Sequence, residues 1–160
     1  MNSVDPAPPY FDVSVKQAKQ PKSYEELEKI LLDEKQSLFE RYRAMFTLRD
    51  LDTNTAVDIL CKGFKNDKSA LFKHEIAFVL GQMLNEHAVN SLIGVLRDNS
   101  EHEMVRHEAA EALGAIAKDQ VLPILNEYKE DEQTVVKESC QVALDMHEYW
   151  NSEEVDNVFE

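Results

Sequence analysis

Helix breakers are scarce in this chain. Its 160 residues include four glycines and five prolines, and Pro6, Pro8, Pro9 and Pro21 all precede residue 22. Such a composition excludes collagen-like, low-complexity and wholly disordered chains. Cysteine is equally sparse. Cys61 and Cys140 lack CxxC spacing and sit in apolar-periodic segments, so they read as buried free thiols of a reducing compartment. No stretch of about 18 consecutive apolar residues is present, which excludes a membrane-spanning helix. The start, Met1-Asn2-Ser3-Val4-Asp5-Pro6, has neither the basic opening nor the apolar run of a secretory signal. A cytoplasmic protein is expected. Positive charge is short as well: 17 Lys+Arg face 31 Asp+Glu, for a net charge of −14. Nucleic acid is thereby disfavoured as a partner, because phosphate backbones attract basic surfaces. A cationic partner or substrate suits the surface better.

Hydrophobic residues make up 43% of the chain, enough for one compact domain or a short repeat array. Residues 1–22 read as an extended arm, since Asp5-Pro6-Ala7-Pro8-Pro9 favours polyproline geometry. Residues 23–150 read as helical. Ser23-Tyr24-Glu25-Glu26 fits a capping box, and Leu27, Ile30 and Leu31 follow at i, i+3, i+4 spacing. The last helix is expected to run through Val142, Leu144 and Met146 towards Trp150. Residues 151–160 carry four acidic residues and no basic one, and read as a fraying tail.

Within 23–150 the sequence repeats itself. Leu38-Phe39-Glu40-Arg41-Tyr42-Arg43-Ala44 aligns with Leu71-Phe72-Lys73-His74-Glu75-Ile76-Ala77 and with Met104-Val105-Arg106-His107-Glu108-Ala109-Ala110. Val135-Val136-Lys137-Glu138-Ser139-Cys140 follows, giving offsets of 33, 33 and 31 residues. Each unit holds one longer and one shorter helix. A period in this range marks an all-α solenoid of helical hairpins, about four pairs, in which each pair completes its core against its neighbours. The units resemble short HEAT-type repeats. Phe39, Met45, Phe46, Phe72, Phe78, Leu80 and Met83 follow helical spacing and are expected to pack between repeats. Gly81 and Gly114 recur at one repeat position inside helices, which predicts close helix approach there. Arg43, Arg49 and Arg106 are expected to bridge to acidic neighbours on helix faces.

Equivalent positions of successive repeats lie side by side, with helix axes about 8–10 Å apart. His74-Glu75 and His107-Glu108 share one such position, so their side chains project from adjacent helices at the same height. Two imidazoles and one of the two glutamates could then hold a single metal ion, a ligand set typical of non-haem iron sites that activate oxygen. A bland origin is also open, because duplication can copy a surface polar pair. The other two units carry Arg41-Tyr42 and Glu138-Ser139 there, so duplication alone does not demand His-Glu. His102-Glu103 and His147-Glu148 have no repeat-equivalent histidine partner and read as solvated surface, as does His87. An HExxH zinc motif fails, because Arg106 stands where the second histidine would be. No glycine-rich phosphate loop, Ser-His-Asp ordering or Cys-His nucleophile pair is visible.

The segments SLFERYRAMFTLRD, SALFKHEIAFVLGQM, EMVRHEAAEALGAIA and VVKESCQVALDMHE together resemble the C-terminal half of the deoxyhypusine hydroxylase family. SVDPAPP at residues 3–9 resembles the connector between that family's two halves. The resemblance implies a HEAT-repeat enzyme that uses O2 and a dinuclear iron centre, Fe(II)/Fe(III), one ion per half. Its substrate would be deoxyhypusine, a lysine extended by a butylamine, on a eukaryotic translation factor. It further implies that His74, His107 and Glu108 bind one iron and that Glu75 holds the substrate's cationic amine. The family pattern needs four His-Glu motifs, two per half, and this chain carries two that match. Three readings stay open. The chain is a half that needs the second half of the enzyme, or it pairs with itself as a homodimer, or it is a non-catalytic helical-repeat domain that binds a basic protein partner.

Overall fold

Five helices of this chain start where the sequence supplies a side-chain cap. The computed structural model describes residues 22–152. The expected arm and most of the acidic tail therefore lie outside the described residues. Among those described, eight α-helices follow in order: α1 Tyr24–Leu32, α2 Leu38–Leu51, α3 Asn54–Asn66, α4 Ala70–Met83, α5 Val89–Arg97, α6 Glu103–Ile116, α7 Leu122–Tyr128 and α8 Thr134–Trp150. Ser23 accepts from the Glu26 amide while the Glu26 carboxylate accepts from the Ser23 amide, completing the capping box. Ser37, Thr53 and Ser69 cap α2, α3 and α4 with a single bond each, their hydroxyls accepting from the Glu40, Ala56 and Phe72 amides, and the His102 imidazole accepts from the Met104 amide at the head of α6. The helices pair as α1–α2, α3–α4, α5–α6 and α7–α8, with long helices stacking α2 on α4, α4 on α6 and α6 on α8. This is the expected solenoid of four helical hairpins. No helix among the described residues is long and apolar enough to cross a membrane.

The caps correct the repeat register. Ser37, Ser69 and His102 open the long helices, and Asp52, Leu84 and Ala117 close them in the left-handed conformation with φ of 47°, 52° and 53°. The first offset is therefore 32 residues, not 33 (69 − 37), and the second is 33 (102 − 69). The shared Leu-Phe pairs at 38–39 and 71–72 suggest the wrong alignment by one residue. In the true register Tyr42-Arg43, not Arg41-Tyr42, stands opposite His74-Glu75.

Side chains confirm the shift. Arg41 and Arg106 do the same work in their repeats: Nε donates to the carbonyl of Leu31 in one case (2.8 Å) and of Leu96 in the other (3.0 Å). Each guanidinium then pairs with a carboxylate in the loop of the next hairpin, Asp67 or Asp131. Lys73 holds Glu101 at the intermediate position. Arg106 is thus buried among loops, correcting the helix-face bridge expected of it, whereas Arg43 and Arg49 do pair on the surface with Glu40 and Asp50.

Apolar side chains including Leu27, Leu31, Leu60, Phe72, Leu80, Leu92 and Leu113 fill the space between the two helix layers. Phe39 departs from the expected packing series and is 66% exposed, because the corrected register turns it outward. Cys140 is buried and Cys61 only half-buried, and both are free thiols. Burial raises both thiols, Cys140 to about 12, which disfavours the thiolate form in each. His147 is not the expected surface residue. It is 7% exposed, because the end of α8 folds over the turn after α6, where Asn151 Nδ2 donates to the Ala117 carbonyl at 3.2 Å.

Gly81 and Gly114 sit where consecutive long helices touch. A Cβ on Gly81 would lie 3.1 Å from Ala112 Cα, and one on Gly114 would lie 2.6 Å from Ala143 Cα. Replacing Gly114 with Ala should therefore destabilise the protein by about 1–3 kcal/mol despite the gain in helix propensity. Exposed Gly94 in α5 has nothing within 4 Å of its missing Cβ, so Gly94→Ala should stabilise by about 0.5–1 kcal/mol. Urea unfolding of the two variants measures the contrast.

Candidate metal centre

The glycine contacts register the site. His74 precedes Gly81, and His107 precedes Gly114, by seven residues, which is about two helical turns. Glu108 precedes Ala112, and Ser139 precedes Ala143, by four. Each histidine therefore shares a helix face with a glycine, and its neighbour on the next helix shares a face with the alanine that this glycine contacts.

In consequence His74 on α4 and His107 on α6 stand with ring centroids 5.8 Å apart and planes inclined by 29°. Glu108 Oε2 lies 3.1 Å from His74 Nε2 and 3.4 Å from His107 Nε2. The three groups offer ligand atoms within 4.8 Å of one another, the one such group of His, Cys, Asp and Glu side chains found among the described residues. Two donors bonded to one ion at about 2.1 Å, and separated by angles between octahedral and tetrahedral, stand about 3.0–3.4 Å apart. Both separations from Glu108 fall in that range. The nitrogen and oxygen donors also suit a borderline metal such as iron or zinc.

Without a metal the cluster is a charged network. Burial alone would push Glu108 up, but hydrogen bonds from His107 and His74 outweigh it and hold the carboxyl at about 2. Hydrogen bonds to Glu108 and then Glu111 raise His107 to about 9 against the opposing effect of burial. His107 Nδ1 meets Ser139 Oγ at 2.8 Å and Glu111 Oε1 at 3.3 Å. Sequence reasoning missed both partners. The signal was available, since Ser139 occupies in α8 the repeat position that Glu108 occupies in α6.

Glu75 lies beside the cluster rather than in it. The half-buried Tyr42 on α2 is pushed to about 12, first by burial and then by the charge of Glu75. Its hydroxyl donates to the Leu71 carbonyl at 3.4 Å. Three residues before Tyr42, His74 and His107 come Phe39, Leu71 and Met104, exposed by 66%, 59% and 40%. An apolar row thus flanks the polar one on the same side of the array. His87 and His102 are exposed, as expected, and lie outside the cluster.

Fold and site together define a helical-repeat protein with a cluster of two histidines and a glutamate on one face. The HEAT-repeat profile matches residues 57–145, and the chain belongs to the HEAT-repeat family. Its similarities go further than the repeat. It is 54% identical over 156 residues to the deoxyhypusine hydroxylase of Candida albicans, covering 96% of this chain and 46% of that protein. It is 54% identical over 152 residues to the deoxyhypusine hydroxylase of Drosophila melanogaster, covering 95% and 47%. The solved structure of human deoxyhypusine hydroxylase in complex with glycerol superposes with a TM-score of 0.77 at 48% identity, over 82% of this chain and 45% of that one. The chain spans about half the length of the curated relatives it matches.

The two shifted groups set opposite pH limits. His107 is raised from 6.5 to about 9, so its contribution to stability is full below 6.5 and fades as pH rises through 9. Glu108 is lowered from 4.5 to about 2, so its contribution is full above 4.5 and fades as pH falls towards 2. The metal-free protein should draw most from this pair between those ordinary values. Thermal melts of wild type and His107→Ala across pH should differ most in that window and converge above pH 9.

Proposed function

We propose that this chain supplies one iron site of a deoxyhypusine hydroxylase, a non-haem iron oxygenase that uses O2 to hydroxylate a polyamine-modified lysine on a eukaryotic translation factor. The observation that carries the reading is the convergence of His74 Nε2 and His107 Nε2 on Glu108 Oε2, at 3.1 and 3.4 Å, in a chain about half identical to proteins of that name. His74, His107 and Glu108 would hold the ion. Bound iron would supply the one-electron chemistry that activates O2 for insertion into a C–H bond.

The chain's own residues have separate tasks in this reading. Glu108 sits between the two imidazoles and offsets part of the metal's charge, while the imidazoles enter as neutral donors. His107 must therefore give up the proton that Glu108 and Glu111 favour in the metal-free state. Glu75, one residue beyond His74 and outside the ligand group, would bind the substrate's ammonium through a charge-assisted hydrogen bond. The net charge of −14 favours approach of that cation. Phe39, Leu71 and Met104 beside the site suit a face covered by the remaining length of the enzyme or by a second copy, and such cover would exclude water from the substrate's methylenes. A cytoplasmic setting agrees with the free thiols.

Metal analysis after Fe(II) loading tests the reading. Wild type should retain about one ion per chain, and His74→Ala or His107→Ala should reduce retention by roughly tenfold or more. Glu75→Gln should leave retention unchanged. A wild type that holds no more iron than the histidine variants overturns the metal site.

A further inference from the structure

The row of carboxylates facing the histidines stops one helix short. Position by position, the residue after each histidine site reads Glu75 on α4, Glu108 on α6 and Ser139 on α8. His74 meets the carboxylate of the next helix through Nε2, at Glu108. His107 meets a hydroxyl on its next helix through Nδ1, at Ser139. Glu111, one turn after His107, closes a triangle: its Oε1 lies 3.4 Å from Ser139 Oγ and 3.3 Å from His107 Nδ1. The equivalent residue on α4 is Phe78, so this polar backing belongs to His107 alone of the two.

Donor and acceptor chemistry fixes the protons in that triangle. An ionised carboxylate only accepts. Glu111 accepts a hydrogen bond from the Ser139 hydroxyl, which leaves a lone pair of Ser139 Oγ facing Nδ1. Both neighbours of Nδ1 are then acceptors, so the imidazole must carry a proton on Nδ1. When the ring is neutral, its lone pair falls on Nε2, on the side of Glu108 and His74.

We infer that Glu111 and Ser139 are positioning residues that lock His107 in its Nδ1–H form and aim Nε2 at the metal. The inference rests on the metal-site reading above. A carboxylate-backed imidazole is both oriented and made more basic, and losing such backing commonly costs about 10- to 100-fold in metal affinity. Serine at position 139 has a further consequence. It relays the hydrogen bond from Nδ1 to Glu111 at the edge of the site, where the Glu111 side chain is 40% exposed, and it keeps a second charge away from the Glu108 side.

Zinc titration of the full chain, with 15N and 13C shifts of the His107 ring in the zinc-loaded state, tests this. Wild type should coordinate through Nε2 with a protonated Nδ1. Glu111→Gln combined with Ser139→Ala should weaken zinc binding by about 10- to 100-fold and mix the two ring orientations, whereas Ser139→Thr should preserve both readouts. Thermal melts identify any variant that has lost its fold, and Glu111→Gln alone, at a part-exposed side chain, serves as the milder variant. Coordination through Nδ1 in wild type overturns the inference while leaving the metal site standing. Wild-type affinity and ring shifts in the double variant overturn it too. A wild type that binds no zinc overturns the metal reading, and this inference falls with it.

Discussion

Consecutive long helices approach to backbone contact at Gly81–Ala112 and Gly114–Ala143, and the site depends on that approach. Two glycines within helices each sacrifice about 1 kcal/mol of propensity relative to alanine. The return is contact between helix surfaces with no intervening side chain, which gains dispersion along the whole face. It also fixes the sliding register of α4 on α6 and of α6 on α8. Side chains one to two turns upstream then meet as His74 with Glu108 and as His107 with Ser139. A leucine-sized spacer at the glycine positions would separate those partners beyond hydrogen-bonding reach.

A second set of contacts ties the hairpins together on the loop side. Arg41, Lys73 and Arg106 rise from the same position in three long helices, and each reaches a carboxylate belonging to the next hairpin's loop. The loop carboxylates also organise the following helix: Asp67 accepts from the Ser69 amide and Asp131 from the Gln133 amide. For Asp131, burial works against ionisation, but the Arg106 guanidinium and the Gln133 amide overcome it and lower the carboxyl. Such pairs earn their place by geometry more than by net stability, since desolvation offsets much of the attraction. Each pair withdraws one cation and one carboxylate together, so the net negative charge of the outer face is undiminished.

Much of this was legible in the sequence. The capping box at Ser23, the helix-pair period and the recurrence of glycine at 81 and 114 each rest on local patterns that tertiary context did not override. The juxtaposition of His74 and His107 was legible for the same reason, since a solenoid turns equal sequence position into spatial adjacency; spacing left Glu75 and Glu108 open, and only the family resemblance pointed to Glu108. The failures share a cause. Leu38-Phe39 and Leu71-Phe72 look alike, but hydrophobic likeness does not define register. The cap residues do, and aligning Ser37 with Ser69 exposes Phe39 and makes Arg41 the counterpart of Arg106. His147 was misread because its burial depends on how α8 closes over a turn thirty residues earlier, which no local pattern encodes. Ser139 escaped notice because serine suggests no metal chemistry until its repeat position is compared with Glu108.

From N-cap to C-cap the first three long helices span the same interval, Ser37 to Asp52, Ser69 to Leu84 and His102 to Ala117. The varying period of the array is absorbed wholly by the loops and short helices. The two kinds of segment consequently differ in what lineages can do with them. An added residue in a connecting loop lengthens a bend and leaves the helix faces that carry His74, His107 and Glu108 where they are. The same residue added between Ser69 and His74 would rotate that imidazole by about 100° around its helix, out of the site. Length is free to drift on one edge of the molecule and is frozen on the other.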